Sequence, residues 1–286
     1  MILIVDSGST KSDWIAVDNN GKQLFEKIRT KGLNPEVLTQ KKLKKAIKDN
    51  DVLRANKASV TRIYFYGAGC GTDRGKMLVK NTLEDLFANA EVKVEEDTMA
   101  AVYGTVNHVN EAAVVCILGT GSNCSYYDGE TLHQRVQSLG YILMDDAAGN
   151  YYGKQMIRDY YFNLMPEDIK VAFGSKFNLE ADFIKYNIYK QPFPNAYLAN
   201  FAEFMFLNKD SEYIVKMIKT GLRIFVKNYI MQYKEELKTV PVHFAGSIAF
   251  FAQDEIREVA EEMGFTIGNF ERRPIEGLLK FHTQGL

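Results

Sequence analysis

The amino-acid sequence predicts an α/β protein made of two similar halves. Short apolar runs alternate with stretches of helical periodicity, and turn residues join neighbouring apolar runs. The sequence opens with the run ILIVD, a Gly/Ser/Thr/Lys turn and the run SDWIAVD, which indicate a strand pair. The same pattern returns at residue 112. Gly8 and Gly121 lie in corresponding turns, too far apart for a solenoid repeat, so we infer that one domain is repeated.

The remaining elements of the first half follow in order. The turn NNGK and the segment QLFEKIRT come next, followed by a helical pattern near residues 39–49 whose lysines form a solvated face. A strand is predicted at RIYFYGAG and a helix across KMLVKNTLEDLFANA. The strand EVKVEE then ends at Asp97, where a helix through MAAVYGTV begins. This order combines hairpins with crossovers, as a mixed sheet requires.

The second half begins with the strand AAVVCIL, the turn GTGS and the strand NCSYYD. A loop, LMDDAAGN, precedes a mostly helical region from residue 151 to about residue 238, where frequent aromatic residues indicate a packed core. The segment VPVHFAGSIAFFAQDEIREVAEEMG returns to strand, turn and helix. A last strand near FTIGNF leads to Pro274, a residue well suited to begin the terminal helix.

Composition excludes several classes of protein. The 286 residues are 46% hydrophobic and 25% charged with a net charge of −1, which is typical of a globular protein without a basic field for nucleic acid or anionic membranes. We find no signal peptide and no run of 18 apolar residues, so we expect a cytoplasmic protein. Three cysteines and four scattered histidines argue against a disulfide framework, a structural zinc site or a nucleophilic triad.

The two glycine-containing turns are candidate phosphate loops. Glycine lets main-chain N–H groups approach an anion closely, and Ser, Thr and Lys add donors and a positive charge. Neither the P-loop nor the dinucleotide-binding pattern fits, because the first turn leads into a strand. Asp6 beside a phosphate would need a divalent cation such as Mg²⁺ between the two groups. The alternative is that Asp6, Ser7 and Gly8 are ordinary turn residues.

The order of these motifs resembles that of a known family. DSGSTKSDW, GLNP, YGAGC, the Asp after KVEE, LGTGSN, MDDAAGN and FAGSIA, with PIEGLLKFH at the end, are similar in order to the BadF/BadG/BcrA/BcrD ATPase family. That family includes N-acetylglucosamine kinases and belongs to the superfamily of sugar kinases and actin. The resemblance implies two ribonuclease-H-like domains, residues 1–107 plus 270–286 and residues 108–269, with ATP and Mg²⁺ in the cleft between them.

The resemblance also implies the roles of the nucleotide-binding residues. Asp6 to Lys11 would form the first phosphate loop, with Asp6 holding Mg²⁺ through water, and Gly119 to Ser122 would form the second. The phosphate ligands would be Gly8, Ser9, Thr10 and Lys11 in the first loop and Gly119, Thr120, Gly121 and Ser122 in the second. Gly246 and Ser247 would contact adenosine, although a common strand–turn–helix joint explains that segment equally well.

Three further residues would act on the phosphate acceptor. Kinases of this family place their general base at the position of Asp97. The alternative is that Asp97 is a helix N-cap, although no Glu or Gln stands at position N3 to complete a capping box. Asn34 and Asp145 correspond to sugar ligands, and Asn34 before Pro35 could equally be a turn residue. Where the family has Gly-Asp-Glu-Gly-Ser-Gly, this chain has residues 144–149, MDDAAG, so the acceptor or the activity differs.

The sequence therefore predicts an ATP-dependent kinase of an amino sugar or related sugar, with Asp97 as general base. The acceptor is a small molecule, and a homodimer is compatible with the pattern. Two alternatives stay open. One is an ATPase that activates a partner protein, whose relatives hold an iron–sulfur cluster through cysteines at a dimer interface. The other is a non-catalytic sensor of sugars or nucleotides, in which ligands would raise the melting temperature without ATP hydrolysis.

Overall fold

The computed structural model describes residues 1–8, 11–108 and 110–283. The chain divides into two compact units, Met1–Val106 with Arg273–Leu286, and Asn107–Arg272. No helix within these described ranges is long and apolar enough to cross a membrane. The second unit is thus inserted into the sequence of the first, between Val106 and Arg273.

The first unit is built on a mixed sheet. In the described part of this unit, the strands are β1 (Ile2–Ser7), β2 (Lys11–Val17), β3 (Ile28–Lys31), β4 (Arg62–Gly67) and β5 (Glu91–Glu96). Their spatial order is β3-β2-β1-β4-β5, in which β1, β4 and β5 are parallel and the β1–β2–β3 pairs are antiparallel. Because the parallel strands end at one edge, the loops that follow β4 and β5 lie beside the end of β1.

Helices cover the sheet of the first unit. They are α1 (Gln40–Lys48), α2 (Asp51–Asn56), α3 (Asp73–Leu86), α4 (Asp97–Thr105) and α13 (Pro274–Thr283). Leu3 and Val5 of β1 join a core with α1 and α3, and the alternate side chains of β1 face the other side of the sheet. On α1, Leu43 and Ile47 are buried while most lysines are exposed, as the helical period predicts.

Helices α4 and α13 approach each other closely in the first unit. A Cβ added to Gly277 of α13 would lie 2.4 Å from the Cα atom of Gly104 of α4. Two glycines at the crossing therefore let the helix backbones touch. The terminal segment that begins at Pro274 is in this way part of the first unit, although more than half of the chain separates it from β1.

The second unit repeats the same sheet. Over its described residues, the strands are β6 (Ala113–Leu118), β7 (Ser122–Tyr127), β8 (Leu132–His133), β9 (Val242–Ala245) and β10 (Ile267–Glu271). Their order is β8-β7-β6-β9-β10, again with an antiparallel hairpin followed by parallel strands. Each strand thus has a counterpart in the first sheet, and the two similar halves expected from the returning turn are confirmed.

A helical layer covers this second sheet. It comprises α5 (Gly149–Tyr161), α6 (Glu167–Lys176), α7 (Ala181–Tyr189), α8 (Pro194–Ala199), α9 (Ala202–Leu207), α10 (Glu212–Asn228), α11 (Ser247–Phe251) and α12 (Gln253–Met263). The aromatic residues noted in the sequence belong to its core, among them Phe173, Phe204 and Phe225. Helix α5 starts at Gly149, two residues before the position expected from the sequence.

Gly153 lets α5 and α8 pack closely. A Cβ added there would lie 1.8 Å from the carbonyl oxygen of Leu198, so backbone would have to move.

We predict that Gly153→Ala lowers the free energy of unfolding by about 2 kcal/mol, which corresponds to roughly 4–8 °C in the melting temperature. Gly174→Ala in α6 is the matched control, since its Cβ would meet only the flexible Tyr160 side chain at 3.4 Å. Thermal unfolding followed by circular dichroism should leave the control within about 1 kcal/mol of the parent protein. Equal melting temperatures for the two variants would contradict the packing argument.

Candidate active site

In the first unit, three loops meet where parallel strands end. Ser7, the last residue of β1, is paired with Gly67 of β4, and Gly67 is paired with Glu96 of β5. Asp6 precedes Ser7, and Asp97 follows Glu96. The topology therefore brings Asp6 and Asp97 to one edge of the sheet, two strands apart, which explains why the charge of Asp97 acts on Asp6.

Asp97 begins helix α4. Glu96, rather than Asp97, occupies the N-cap position, with extended backbone angles of φ −73° and ψ 158°. The Asp97 carboxylate is half-buried and accepts hydrogen bonds from the main-chain N–H groups of Thr98 and of Asp97 itself. Burial, reinforced by the charge of Glu96, nevertheless raises the pKa of Asp97 to about 6. Such a carboxylate is ionised at neutral pH yet basic enough to accept a proton.

Asp6 lies among several charges. Burial raises its pKa to about 7, and the negative charges of Asp97 and Asp13 act in the same direction. Lys11 and Lys27 oppose this effect only in part. Asp6 is therefore a carboxylate whose ionised form is disfavoured until additional positive charge arrives.

The neighbouring carboxylate, Asp13, is compensated differently. It is buried and paired with Asp6 across the β1–β2 hairpin. Arg29 of the next strand donates to both of its oxygens, at 2.7 and 3.0 Å. Burial acts to raise the pKa of Asp13, but the hydrogen bond and charge of Arg29 outweigh it and hold the pKa below its usual value. The sequence interpretation overlooked this pair, although residues equidistant from a hairpin turn are cross-strand neighbours, which would have placed Asp13 beside Asp6.

Asn34 lies beside the loop that follows β4. Its side chain is 8% exposed, and its Oδ1 accepts a hydrogen bond from the N–H of Glu36 at 2.9 Å. Gly69 has a φ of 81°, and a Cβ added there would lie 2.2 Å from that same Oδ1. Two residues further on, a Cβ at Gly71 would lie 3.4 Å from the Glu96 carboxylate. This glycine loop therefore lies against Asn34 at Gly69 and close to Glu96, the neighbour of Asp97, at Gly71. Asn34 is a turn residue and also lies in the candidate site.

The first glycine turn closes the β1–β2 hairpin. Gly8 donates its N–H to the carbonyl of Lys11 at 2.9 Å, and Lys11 begins β2 with an exposed side chain. Ser9 and Thr10, both predicted phosphate ligands, lie outside the described residues. Below the turn, the Ser7 hydroxyl accepts a hydrogen bond from the N–H of Leu33 at 3.0 Å and lies 2.6 Å from that of Ser12. The base of the hairpin is therefore fixed by buried hydroxyl groups.

In the second unit, the residues predicted to contact phosphate and adenosine are neighbours. Gly119–Ser122 joins β6 to β7, and Gly246 follows β9, the parallel neighbour of β6. Gly246 has a φ of 107°, and a Cβ there would lie 2.4 Å from the carbonyl oxygen of Leu118. Only glycine therefore fits this close approach. Ser247 follows as the first residue of α11.

The start of α5 holds the loop Gly119–Ser122 in place. The N–H of Gly149 donates to the carbonyl of Gly119 at 2.8 Å, and the N–H of Asn150 donates to that of Thr120 at 3.1 Å. In a trans peptide, the carbonyl of one residue and the N–H of the next point in opposite directions. The N–H groups of Thr120 and Gly121 therefore point away from α5, and the described residues provide no acceptor for either. Such amides are suited to bind an anion.

Asp145 lies beneath the same loop. Its side chain is 7% exposed, and its backbone has a φ of 67°, a left-handed conformation that is uncommon for residues other than glycine. One carboxylate oxygen accepts the N–H of Ser122 at 3.2 Å, and the other accepts the Asn150 side-chain amide at 2.7 Å. Burial raises the pKa of Asp145. Its assignment to the sugar stays a prediction. These two hydrogen bonds, and the part played by Asn150, could not be foreseen from the sequence.

All three cysteines are buried and free. Cys116 and Cys124 face each other across the β6–β7 hairpin with their Sγ atoms 3.4 Å apart, and Cys70 lies in the glycine loop of the first unit. Burial raises the pKa of Cys70 to about 12, which keeps it a thiol. Their burial gives no support to a cluster shared through surface cysteines.

No family model matches the chain, and no curated protein matches it. Several solved structures do match the chain. A protein from Porphyromonas gingivalis named "Putative N-acetylglucosamine Kinase" is 32% identical over 99% of both chains, with a TM-score of 0.91. A protein of the same name from Chromobacterium violaceum is 15% identical over 98% of both chains, with a TM-score of 0.72.

A more distant structure shares the fold. The glucokinase of the ROK family from Streptomyces griseus, solved with glucose and AMPPNP, is 14% identical, covers 98% of this chain and 97% of its own, and has a TM-score of 0.59. These matches confirm the α/β fold of two sugar kinase- and actin-type domains expected from the sequence. By its 32% identity over 99% of both chains, the protein belongs to the same family as the Porphyromonas gingivalis protein, within the superfamily of sugar kinases and actin.

Proposed function

We propose that this protein transfers the terminal phosphoryl group of ATP to a hydroxyl group of an amino sugar or related sugar. The observation that carries the proposal is Asp97, a half-buried carboxylate with a pKa raised to about 6, at the strand edge that also holds Asp6 and the glycine loop beside Asn34. Membership of the family favours an amino sugar, since the Porphyromonas gingivalis protein is named for N-acetylglucosamine.

The nucleotide is proposed to bind through main-chain amides. In the second unit, the N–H groups of Thr120 and Gly121 would donate to phosphate oxygens, with Gly119 and Ser122 forming the ends of the same loop. Gly246 and Ser247, beside the end of β6, would contact adenosine. In the first unit, Gly8 and Lys11, together with Ser9 and Thr10, are proposed as the other phosphate ligands. Lys11 would supply positive charge near the phosphates.

Asp6 fits a role in holding Mg²⁺. Among the described residues, no group of three or more His, Cys, Asp or Glu side chains is placed to hold a metal ion. Mg²⁺ in kinases is commonly held by one or two carboxylates, waters and the substrate phosphates. The raised pKa of Asp6 shows that its anionic form lacks compensating charge, as expected of a carboxylate that acts beside a cation. When bound, Mg²⁺ would neutralise phosphate charge.

Asp97 is proposed to accept the proton of the attacking hydroxyl group. Phosphoryl transfer depends mainly on positioning and on charge stabilisation, and a carboxylate of this kind orients the nucleophile and takes its proton. The main-chain N–H groups of Thr98 and Asp97 fix the carboxylate at the start of α4. Asn34, whose amide is oriented by its hydrogen bond from Glu36, is proposed to contact the acceptor hydroxyl groups.

Oligomeric state, partners and location are predicted from the sequence alone. A homodimer, the absence of nucleic-acid and membrane partners, and a cytoplasmic location are expectations to be checked by light scattering, binding assays and fractionation. An ATPase that activates a partner protein and a non-catalytic sensor are the alternatives, and ADP release tested against a panel of hexoses and amino sugars separates them from the kinase.

Asp97→Asn tests the proposed base. Asparagine keeps the shape of the side chain but cannot accept the proton, so we predict a fall in kcat of about 10²- to 10⁴-fold with little change in the KM for ATP. Glu91→Gln, which changes an exposed carboxylate at the opposite end of β5, is the matched control and should retain activity. Sugar-dependent ADP release would be measured with a coupled assay. If Asp97→Asn turned over like the parent protein, Asp97 would not be the base.

The pH dependence of activity follows from the same residue. Asp97 must be ionised to act as a base, and its pKa is raised to about 6. With Mg²⁺–ATP saturating, so that Asp6 stays ionised beside the cation, we therefore predict that kcat/KM for the acceptor falls about tenfold per pH unit below that value and is level above it. Initial rates measured between about pH 5 and pH 8 would check this, and a profile that is flat down to about pH 5 would argue against the assignment.

The stability of the protein should show the opposite trend. A carboxylate whose pKa is higher in the folded state stabilises the fold fully below its unfolded pKa of 3.8, and this contribution is lost as pH rises through about 6. At pH 8 we thus predict that Asp97→Asn melts about 3 °C above the parent protein, with the difference vanishing near pH 4. Calorimetry at both pH values provides the measurement, and a variant less stable at pH 8 would contradict it.

A further inference from the structure

We propose that Asp145 is a positioning residue of the second glycine loop, Gly119–Ser122, and holds that loop in its phosphate-binding shape. This inference rests on the proposed function, because it assigns the loop to a nucleotide. It differs from the sugar contact expected from the sequence. The argument depends on the direction of the Asp145 side chain, on its hydrogen bonds and on the space around Gly121.

The carboxylate of Asp145 is directed at the loop. The Oδ1 atom accepts the N–H of Ser122, the last residue of the loop, at 3.2 Å, and the Oδ2 atom accepts the side-chain amide of Asn150 at 2.7 Å. Asn150 in turn donates its main-chain N–H to the carbonyl of Thr120 at 3.1 Å. These three hydrogen bonds link Asp145, Ser122, Asn150 and Thr120, so moving Asp145 would break its bonds to both Ser122 and the Asn150 side chain.

The position of Asp145 is itself fixed by neighbouring groups. Its N–H donates to the hydroxyl oxygen of Tyr229 at 3.3 Å, and its carbonyl accepts the N–H of Ala148 at 3.2 Å. Asp145 and Ala147 both have left-handed backbone conformations, with φ of 67° and 57°. Such conformations cost free energy for residues with a Cβ and persist only where the surroundings impose them. A tightly turned segment thus presents the carboxylate to the loop.

Gly121 provides an independent observation. A Cβ added there would lie 2.8 Å from Oδ2 of Asp145, closer than a Cβ approaches such an atom in proteins, and 3.1 Å from its Cγ. The loop backbone and the carboxylate are therefore in direct contact, with no room for a side chain between them. With the carbonyls of Gly119 and Thr120 held by α5, this contact determines where the N–H groups of Thr120 and Gly121 lie.

The positioning role and the sugar contact give different kinetic results. If Asp145 positions the loop, Asp145→Ala weakens the binding of ADP and of a non-hydrolysable ATP analogue by about tenfold and raises the KM for ATP, with a smaller effect on the KM for the acceptor. Calorimetric titration with these nucleotides needs no acceptor. Asp146→Ala is the matched control, because Asp146 contacts Asn228 rather than the loop, and it should bind nucleotide normally.

Rescue provides a second test that remains available if Asp145→Ala does not fold. Asn150→Asp places a second carboxylate where the amide lay, 2.7 Å from Oδ2 of Asp145, and should weaken nucleotide binding. Exchanging the two residues, D145N with N150D, restores a donor opposite a carboxylate and leaves an oxygen for Ser122. We expect the exchanged variant to recover most of the nucleotide affinity that N150D loses.

A double-mutant cycle tests the contact itself. Gly121→Ala should lower the melting temperature in the parent protein but have a smaller effect in Asp145→Ala, where the added methyl group has space. Additive effects, unchanged nucleotide affinity in Asp145→Ala, or a raised KM for the acceptor alone would each overturn the positioning role while leaving the kinase proposal intact. A parent protein that binds no nucleotide would overturn both.

Discussion

The burial of carboxylate groups constrains the structure at the strand ends of both units. A buried carboxylate has to gain hydrogen bonds or positive charge, or its pKa rises. Asp13 is compensated by Arg29, and its pKa lies below the usual value. Asp145 receives hydrogen bonds from Ser122 and Asn150, which offset burial only in part. Asp6 and Asp97 are compensated least, with pKa values near 7 and 6.

This order of compensation separates structural carboxylates from those suited to chemistry. In an ion pair such as that of Asp13 and Arg29, each charge is neutralised by the other, so the pair is poorly suited to bind a charged ligand. Asp6 and Asp97 lack such compensation: a nearby cation would stabilise ionised Asp6, and Asp97 can accept a proton. Phosphoryl transfer to a hydroxyl group involves both a cation and a proton. The burial of these two carboxylates therefore lowers the stability of the fold slightly, at the strand edge where we propose that the substrates bind.

Much of the fold could be predicted from the sequence, because its strands and turns are encoded locally. The apolar run at β6 followed by a glycine turn, like that at β1, was sufficient to infer two similar halves. The contacts around Asp145 could not be predicted, since a left-handed backbone at an aspartate and its hydrogen bond to Ser122 depend on residues far apart in the chain. Similarly, Glu96 rather than Asp97 is the N-cap, a difference of one residue that sequence patterns do not resolve.

The packing of α13 against α4 has a consequence for how the protein is made. The residues that complete the first unit, from Arg273 onward, follow the whole of the second unit in the chain. During synthesis, β1 to β5 leave the ribosome long before the helix that covers part of their sheet, whereas Asn107–Arg272 emerges as one continuous segment. The unit whose translation begins first is therefore completed last, and its exposed sheet face is the one that a chaperone would need to protect.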